Sequence, residues 1–124
     1  MRTSRRSGRN AETFAAEYLQ ALGYKIVARN VYVGRWGEID LVAYDGNMLV
    51  FVEVKARSSY RFGLPEEGVT PRKQRLLLRA ARAYLSFQGL GDIPCRFDVV
   101  AIDMGVSPPR VRLYQNAFGS EEAF

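Results

Sequence analysis

The stretch from residue 37 to residue 55 constrains the fold most, because it predicts two apolar strands joined by a tight turn. β-Branched and aromatic residues fill both arms, and Asp45-Gly46-Asn47 between them is typical of a hairpin turn. One face is expected to carry Ile39, Leu41, Ala43, Val50, Val52 and Val54, and the other Val42, Tyr44, Leu49 and Phe51. Strands that are apolar on both faces are normally covered on both sides, so the hairpin is predicted to lie inside a sheet.

Four charged residues interrupt this apolar pattern: Glu38 and Asp40 in the first arm, and Glu53 and Lys55 in the second. Within each arm the two charges are spaced by two residues, so each pair points to one side of its strand. A two-residue turn would place all four on one face, whereas a three-residue loop would place the two pairs on opposite faces. Two-residue turns are the commonest hairpin connection, which favours the shared face. A Gly46-Asn47 turn would place Asp40 opposite Glu53, and an Asp45-Gly46 turn would shift the pairing by two residues.

This constellation predicts a catalytic site at Glu38, Asp40, Glu53 and Lys55. Facing carboxylates in a mostly buried sheet repel each other, and a hard divalent cation with oxygen ligands, Mg²⁺ or Mn²⁺, would offset that repulsion. Lys55 could then hold a phosphate or orient a water molecule. The alternative is an ion-pair cluster at a solvated end of the sheet, in which Lys55 neutralises a neighbouring glutamate.

Composition limits the chemistry further. The 124 residues suit one domain, and a net charge of +5 favours an anionic partner, most often nucleic acid, although it also serves ordinary solubility. The absence of histidine excludes Ser-His-Asp triads and His-ligated zinc, and the single Cys95 cannot form an internal disulfide. No apolar run is long enough to span a membrane and no signal peptide opens the chain, so a cytoplasmic protein without membrane contact is expected.

The order of elements predicts a single α/β domain, in which a mixed central β-sheet has a helix on each side. We expect a mobile basic tail over residues 1–8, the domain over 9–118 and a C-terminal tail over 119–124. Apolar periodicity predicts a helix over 9–22, a strand over 24–32, the two hairpin strands, a helix from Thr70-Pro71 to 87 or 88, and strands over 96–104 and 111–114.

Basic residues near the hairpin are candidates for binding nucleic acid. Arg35 lies in the turn that leads into the first arm, and Arg57 opens a loop, residues 57–68, that follows Lys55 and is expected to line the substrate path. Arg72 and Lys73 lie in the first turn of the second helix, where the helix dipole favours anions. A bound phosphate would explain these cations, and a merely solvated basic face is the alternative.

Five motifs are spread over nearly the whole chain. They are Gly37-Glu38-Ile39-Asp40-Leu41-Val42, residues 49–57, Val69-Thr70-Pro71-Arg72-Lys73-Gln74, Cys95-Arg96-Phe97-Asp98-Val99-Val100-Ala101 and Asn116-Ala117-Phe118. Together they resemble the bacterial YraN-like family. That family is similar to the PD-(D/E)XK, restriction-endonuclease-like nucleases, and within them to the archaeal Holliday junction resolvases.

The resemblance implies a role for each matching residue. Asp40 and Glu53 would bind the metal, and Lys55 would assist the attacking water. Glu12 corresponds to the helix acid of resolvase-like members and would be a further metal ligand. Gln74 matches the Thr-x-x-Lys-Gln start of the second helix and would contact the substrate.

The implied function is a metal-dependent endonuclease that hydrolyses phosphodiester bonds in DNA, with branched or damaged DNA as candidate substrates and a homodimer as the expected assembly. Ile39 departs from the motif, whose name has proline at that position. One alternative is a non-catalytic nucleic-acid-binding protein that retains the nuclease fold. A metalloenzyme for small phosphorylated substrates would fit the site but not the basic excess.

Overall fold

The computed structural model describes residues 2–57 and 69–118, with side chains from Ala11 onward. Its order of helix, three strands, helix and two strands is the predicted order. The elements are α1 (Arg2–Ala21), β1 (Lys25–Tyr32), a short 3₁₀ turn (Gly34–Trp36), β2 (Glu38–Asp45), β3 (Met48–Arg57), α2 (Pro71–Gln88), β4 (Cys95–Asp103) and β5 (Arg110–Phe118).

The five strands form one mixed sheet in the order β1-β2-β3-β4-β5. Three neighbouring pairs are antiparallel, and β3 runs parallel to β4. A parallel pair needs a crossover connection, and the segment between β3 and β4 contains α2. The prediction of an α/β fold with the hairpin inside a mixed sheet is therefore confirmed.

The two faces of the sheet bury separate apolar clusters, one beneath each helix. The α1 cluster contains Ala11, Ala15, Ala16, Leu19, Tyr24, Leu41, Ala43, Val50, Val52, Val100 and Ile102. The α2 cluster contains Val33, Ile39, Val42, Leu49, Phe51, Leu77, Ala80, Ala81, Leu85 and Phe97. Strands β2, β3 and β4 contribute to both clusters, which explains why the hairpin sequence is apolar at almost every position.

The β2–β3 hairpin has the predicted two-residue turn. Asp45 pairs with Met48 across it, and the same register continues to Leu41 opposite Val52. One facial assignment was wrong: Ile39 packs in the α2 cluster, whereas Leu41 packs in the α1 cluster. The alternation of faces is therefore broken between these two residues, at Asp40.

Helix α2 begins and ends where its sequence predicts. The Thr70 hydroxyl accepts a hydrogen bond from the Lys73 backbone N–H at 3.2 Å, and Pro71 occupies the first turn. At the other end Gly89 adopts a left-handed conformation with φ of 65°, which ends the helix. The N-terminal cap fixes the position from which Lys73 extends toward the sheet.

A buried polar network fixes the strand β5. The carboxylate of Asp98, which is 0% exposed, accepts hydrogen bonds from the Tyr24 hydroxyl, the Arg96 guanidinium and the Asn116 backbone N–H. Arg96 also pairs with Asp45 at 2.8 Å, so the network joins β4 and β5 to the hairpin turn. Burying a carboxylate is tolerated here because every bond is made to its charged form.

Three boundaries differ from the prediction or lie outside the described residues. α1 begins at Arg2 instead of residue 9, while the mobility of residues 1–8 stays a prediction. β5 continues to Phe118, because Asn116 takes a positive φ of 51° at an irregularity that lets the strand pair on beyond residue 114. Residues 58–68 and 119–124 lie outside the described part. Within the described residues, neither helix combines the length and apolarity needed to cross a membrane.

Candidate metal centre at the open end of the hairpin

The strands β2 and β3 separate at Asp40. Backbone pairing reaches Leu41 opposite Val52, and beyond it the Asp40 carboxylate accepts a hydrogen bond from the Val54 backbone N–H at 2.8 Å. The Asp40 side chain thus takes the position that a backbone acceptor of β2 would occupy opposite Val54 in a regular strand pair. This insertion holds the carboxyl group of Asp40 at the mouth of the opening between the strands.

Three carboxylates from α1 and β2 meet at this opening. Glu12, Glu38 and Asp40 each offer an oxygen atom, and these atoms lie within 4.8 Å of one another. The side chain of Glu12 also hydrogen-bonds to Asp40 and to Asn30. Burial raises the pKa of Glu12, and the nearby charge of Glu38 raises it further.

Asp40 is the most strongly perturbed carboxyl group of the cluster. Burial, followed by the negative charge of Glu53, raises the pKa of Asp40 to about 8, although the hydrogen bond from Val54 opposes the shift. Glu12 and Glu38 raise it further. Without a cation, the folded protein therefore holds a proton on this group at neutral pH.

Glu53 lies beside this cluster but has its own cations. It is only 5% exposed, and its Oε2 atom lies 3.4 Å from Lys55 Nζ and 3.6 Å from Lys73 Nζ. Because Lys73 belongs to α2, Glu53 points to the α2 side of the sheet, whereas Asp40 meets Glu12 on the α1 side. The four hairpin charges therefore do not share one face, and Asp40 and Glu53 come close because the strands separate.

The donor set fits a hard divalent cation. Among the described side chains, no lysine or arginine forms an ion pair with Glu12, Glu38 or Asp40, so no cation in this part of the chain offsets their mutual repulsion. Oxygen ligands of one Mg²⁺ ion lie at about 2.1 Å from it, and hence at most about 4.2 Å from each other. A small inward movement of three side chains would provide that geometry.

The three α2 residues that were predicted to bind nucleic acid differ in their surroundings. Lys73 reaches the sheet and neutralises Glu53, and the Gln74 side chain donates to the Val69 backbone carbonyl at 3.0 Å. Both groups therefore already have partners inside the fold. Arg72, in contrast, is exposed to solvent.

The two other predicted basic residues flank the hairpin. Arg35 is exposed in the 3₁₀ turn, and its Cζ atom lies 4.8 Å from the ring centre of Trp36. Arg57 is half-buried at the end of β3 and donates to the backbone carbonyl of Ala56 at 3.3 Å. The binding of nucleic acid by either residue stays a prediction.

Two features of the site were not predicted from the sequence. Asn30 adopts a positive φ of 51° on β1 and hydrogen-bonds to Glu12, and only the tolerance of asparagine for this conformation hinted at it. The grouping of Glu38 with Glu12 depends on how α1 packs on the sheet, for which a single sequence carries no signal. The resemblance had already selected Glu12 as a metal ligand.

Comparison with known proteins agrees with this resemblance. The profile of Uncharacterised protein family UPF0102 matches residues 11–102. A UPF0102 protein of Symbiobacterium thermophilum is 55% identical and covers 93% of this chain and 98% of its own, and one of Dehalococcoides mccartyi is 43% identical with 93% and 94% covered. A third, from Geobacter sulfurreducens, is 48% identical over 90% of this chain and 87% of its own. The chain therefore belongs to the UPF0102 (YraN-like) family, within the restriction-endonuclease-like nuclease superfamily.

Proposed function

We propose that this protein is a metal-dependent endonuclease that hydrolyses phosphodiester bonds in DNA, with branched or damaged DNA as candidate substrates. The single observation that carries the proposal is the group of Glu12, Glu38 and Asp40, three carboxylates within 4.8 Å that have no described cationic partner. A structural ion-pair cluster would supply its own cations, as Lys55 and Lys73 do for Glu53.

Each residue of the site has a distinct part in this proposal. Glu12, Glu38 and Asp40 would hold Mg²⁺ or Mn²⁺. When bound, such an ion polarises a phosphodiester and lowers the pKa of a coordinated water. Lys55 is a half-buried cation paired with Glu53, and it would orient the attacking water or stabilise the charge that develops on the phosphate.

The role of Glu53 follows from its position between the two lysines. Its charge keeps Lys55 and Lys73 at the open end of the hairpin, and the same charge raises the pKa of Asp40. A phosphate that approaches these lysines competes with Glu53 for them. Glu53 would then be released toward the metal, which is the ligand role that the resemblance implies for it.

The ion pairs of Glu53 also favour one alternative. If Lys55 and Lys73 remain bound to Glu53, neither of these two described lysines is available for the phosphate, and the protein would bind nucleic acid without cleaving it. This binding-only function is compatible with the nuclease-like fold and with the net positive charge of the chain.

A cleavage assay on linear, nicked, flapped and four-way DNA, each with Mg²⁺ or Mn²⁺, tests the proposal. We expect the wild type to cut at least one of these substrates, and only with a metal. Folded Asp40→Asn should lose this cleavage, because an amide cannot act as an anionic ligand. Glu17→Gln is the matched control, since Glu17 is an exposed carboxylate on the same helix as Glu12.

Two results would count against the endonuclease. Cleavage by folded Asp40→Asn at the wild-type rate would remove the site from the mechanism. Failure of the wild type to cut any substrate, combined with tight binding to the same DNAs, would establish the binding-only alternative.

A further inference from the structure

The outward face of α2 carries a row of arginines. Arg72, Arg75, Arg79 and Arg82 are all exposed and are spaced by three, four and three residues. With 3.6 residues per turn, this spacing places them within an arc of about 80°, and they extend over about 15 Å of helix. We call these four residues the α2 arginine row.

The row lies on the side of α2 that faces away from the sheet. The buried residues Leu77 and Ala81 point into the α2 cluster, roughly opposite the row. Lys73, which contacts Glu53, lies about 100° from Arg72 around the helix and faces the sheet. The row is therefore a surface separate from the lysines of the metal centre.

Nothing within α2 balances these charges. The helix from Pro71 to Gln88 contains no aspartate or glutamate, and among the described side chains no carboxylate forms an ion pair with Arg72, Arg75 or Arg79. Like charges three and four residues apart destabilise a helix, and cations in the first turn oppose its dipole. A polyanion bound along the row would remove both penalties.

The first residue of the row lies next to the open end of the hairpin, and a later one contacts the 3₁₀ turn. Arg72 directly precedes Lys73, whose Nζ atom lies 3.6 Å from Glu53. Farther along, the Cζ atom of Arg79 lies 4.9 Å from the ring centre of Trp36, which is two residues before Glu38. An anion that follows the row from Arg79 to Arg72 therefore leads from Trp36 to the N-terminal end of α2, where Lys73 meets Glu53.

We propose that the α2 arginine row binds the phosphate backbone of a nucleic acid and leads it to the N-terminal end of α2, where Lys73 meets Glu53. The inference rests on the proposed function, because it names the surface that would bind the substrate of that site. Guanidinium groups bind phosphate oxygens in pairs of hydrogen bonds, which suits a row of arginines better than a merely soluble surface. A lipid surface fits poorly, because the apolar face of α2 is buried against the sheet and cannot insert into a membrane.

The test is the salt dependence of binding to a labelled DNA duplex, measured by fluorescence anisotropy in EDTA between 50 and 200 mM salt. Arg72→Gln/Arg75→Gln should reduce the slope of log K against log salt by about 1.8, since each lost phosphate contact removes about 0.9. The control Lys25→Gln/Arg110→Gln removes the same charge from exposed positions on β1 and β5 and should leave the slope close to that of the wild type.

The single variant Arg79→Gln provides a second test. It should reduce the slope of log K against log salt by about 0.9. Thermal melts should show all variants folded, because each substitution in the row relieves like-charge repulsion. Equal slopes for the row variant and the control would overturn the inference. So would a row variant that keeps its DNA affinity but loses binding to anionic phospholipid vesicles.

The EDTA condition separates this inference from the proposed function. If the wild type binds through the row but never cuts DNA with metal added, the endonuclease fails and the binding surface stands. If a row variant cuts DNA with the wild-type KM and rate, the endonuclease stands and the inference about the row fails.

Discussion

Replacement of Asp40 by asparagine should stabilise the metal-free protein, and increasingly so as the pH rises. The folded state raises the pKa of Asp40 from 3.8 to about 8, so between these values the folded protein keeps a proton that the unfolded chain releases. A carboxyl group of this kind lowers the free energy of unfolding as the pH rises. Asparagine does not titrate, and its carbonyl oxygen can still accept the hydrogen bond from Val54.

The size of the effect follows from the pKa shift. One bound proton changes the free energy of unfolding by about 1.4 kcal/mol per pH unit. Between pH 5 and pH 7 the wild type should lose up to about 3 kcal/mol relative to Asp40→Asn. Solvent that reaches this half-buried group reduces the effect, so we expect a difference of about 1–3 kcal/mol, or roughly 4–12 °C in Tm.

Thermal melts in EDTA at pH 5, 6, 7 and 8 measure this difference directly. Glu17→Gln is the control, because it removes an exposed carboxylate and should follow the wild-type curve. Added Mg²⁺ should stabilise the wild type by about 2.7 kcal/mol at a hundred times the Kd, and Asp40→Asn much less. Melting curves of Asp40→Asn and wild type that run parallel from pH 5 to pH 8 would refute the assignment of a raised pKa to Asp40.

Three further predictions concern other parts of the structure. Because Mn²⁺ must displace the proton of Asp40, its affinity in calorimetry should rise about tenfold per pH unit below 8 and level off above it, and a flat profile would contradict this. Asp98→Ala should lower the free energy of unfolding by about 3–5 kcal/mol in urea melts, far more than Tyr24→Phe, because it removes the buried carboxylate that Arg96, Tyr24 and the Asn116 N–H all bind. Lys73→Gln should destabilise the fold by about 1 kcal/mol, since Glu53 loses one of two cations; an unchanged midpoint would show that this half-exposed pair contributes nothing.

The fold was predictable because its signals are local. The two-residue turn at Gly46 and Asn47 follows from turn chemistry, and the Thr70-Pro71 start of α2 follows from capping. Apolar residues on both faces of the hairpin placed it inside the sheet. Each of these features depends on interactions between residues that are close in the chain.

The arrangement of the site was only partly predictable because it depends on an irregularity. Strict alternation placed Asp40 and Glu53 on one face, but the break at Asp40 and the hydrogen bond to Val54 direct it toward α1. The meeting of Glu12 with the hairpin is a contact between distant parts of the chain. Only the family resemblance could supply that contact in advance.

The account depends most on a divalent cation at Glu12, Glu38 and Asp40, and anomalous diffraction from Mn²⁺-soaked crystals tests this directly. We predict one strong peak about 2.0–2.3 Å from carboxylate oxygens of these residues, and no peak there in Asp40→Asn. A parallel soak with excess Mg²⁺ should reduce the peak. Well-ordered wild-type crystals without manganese at the three carboxylates, or with manganese only elsewhere, would contradict the central claim.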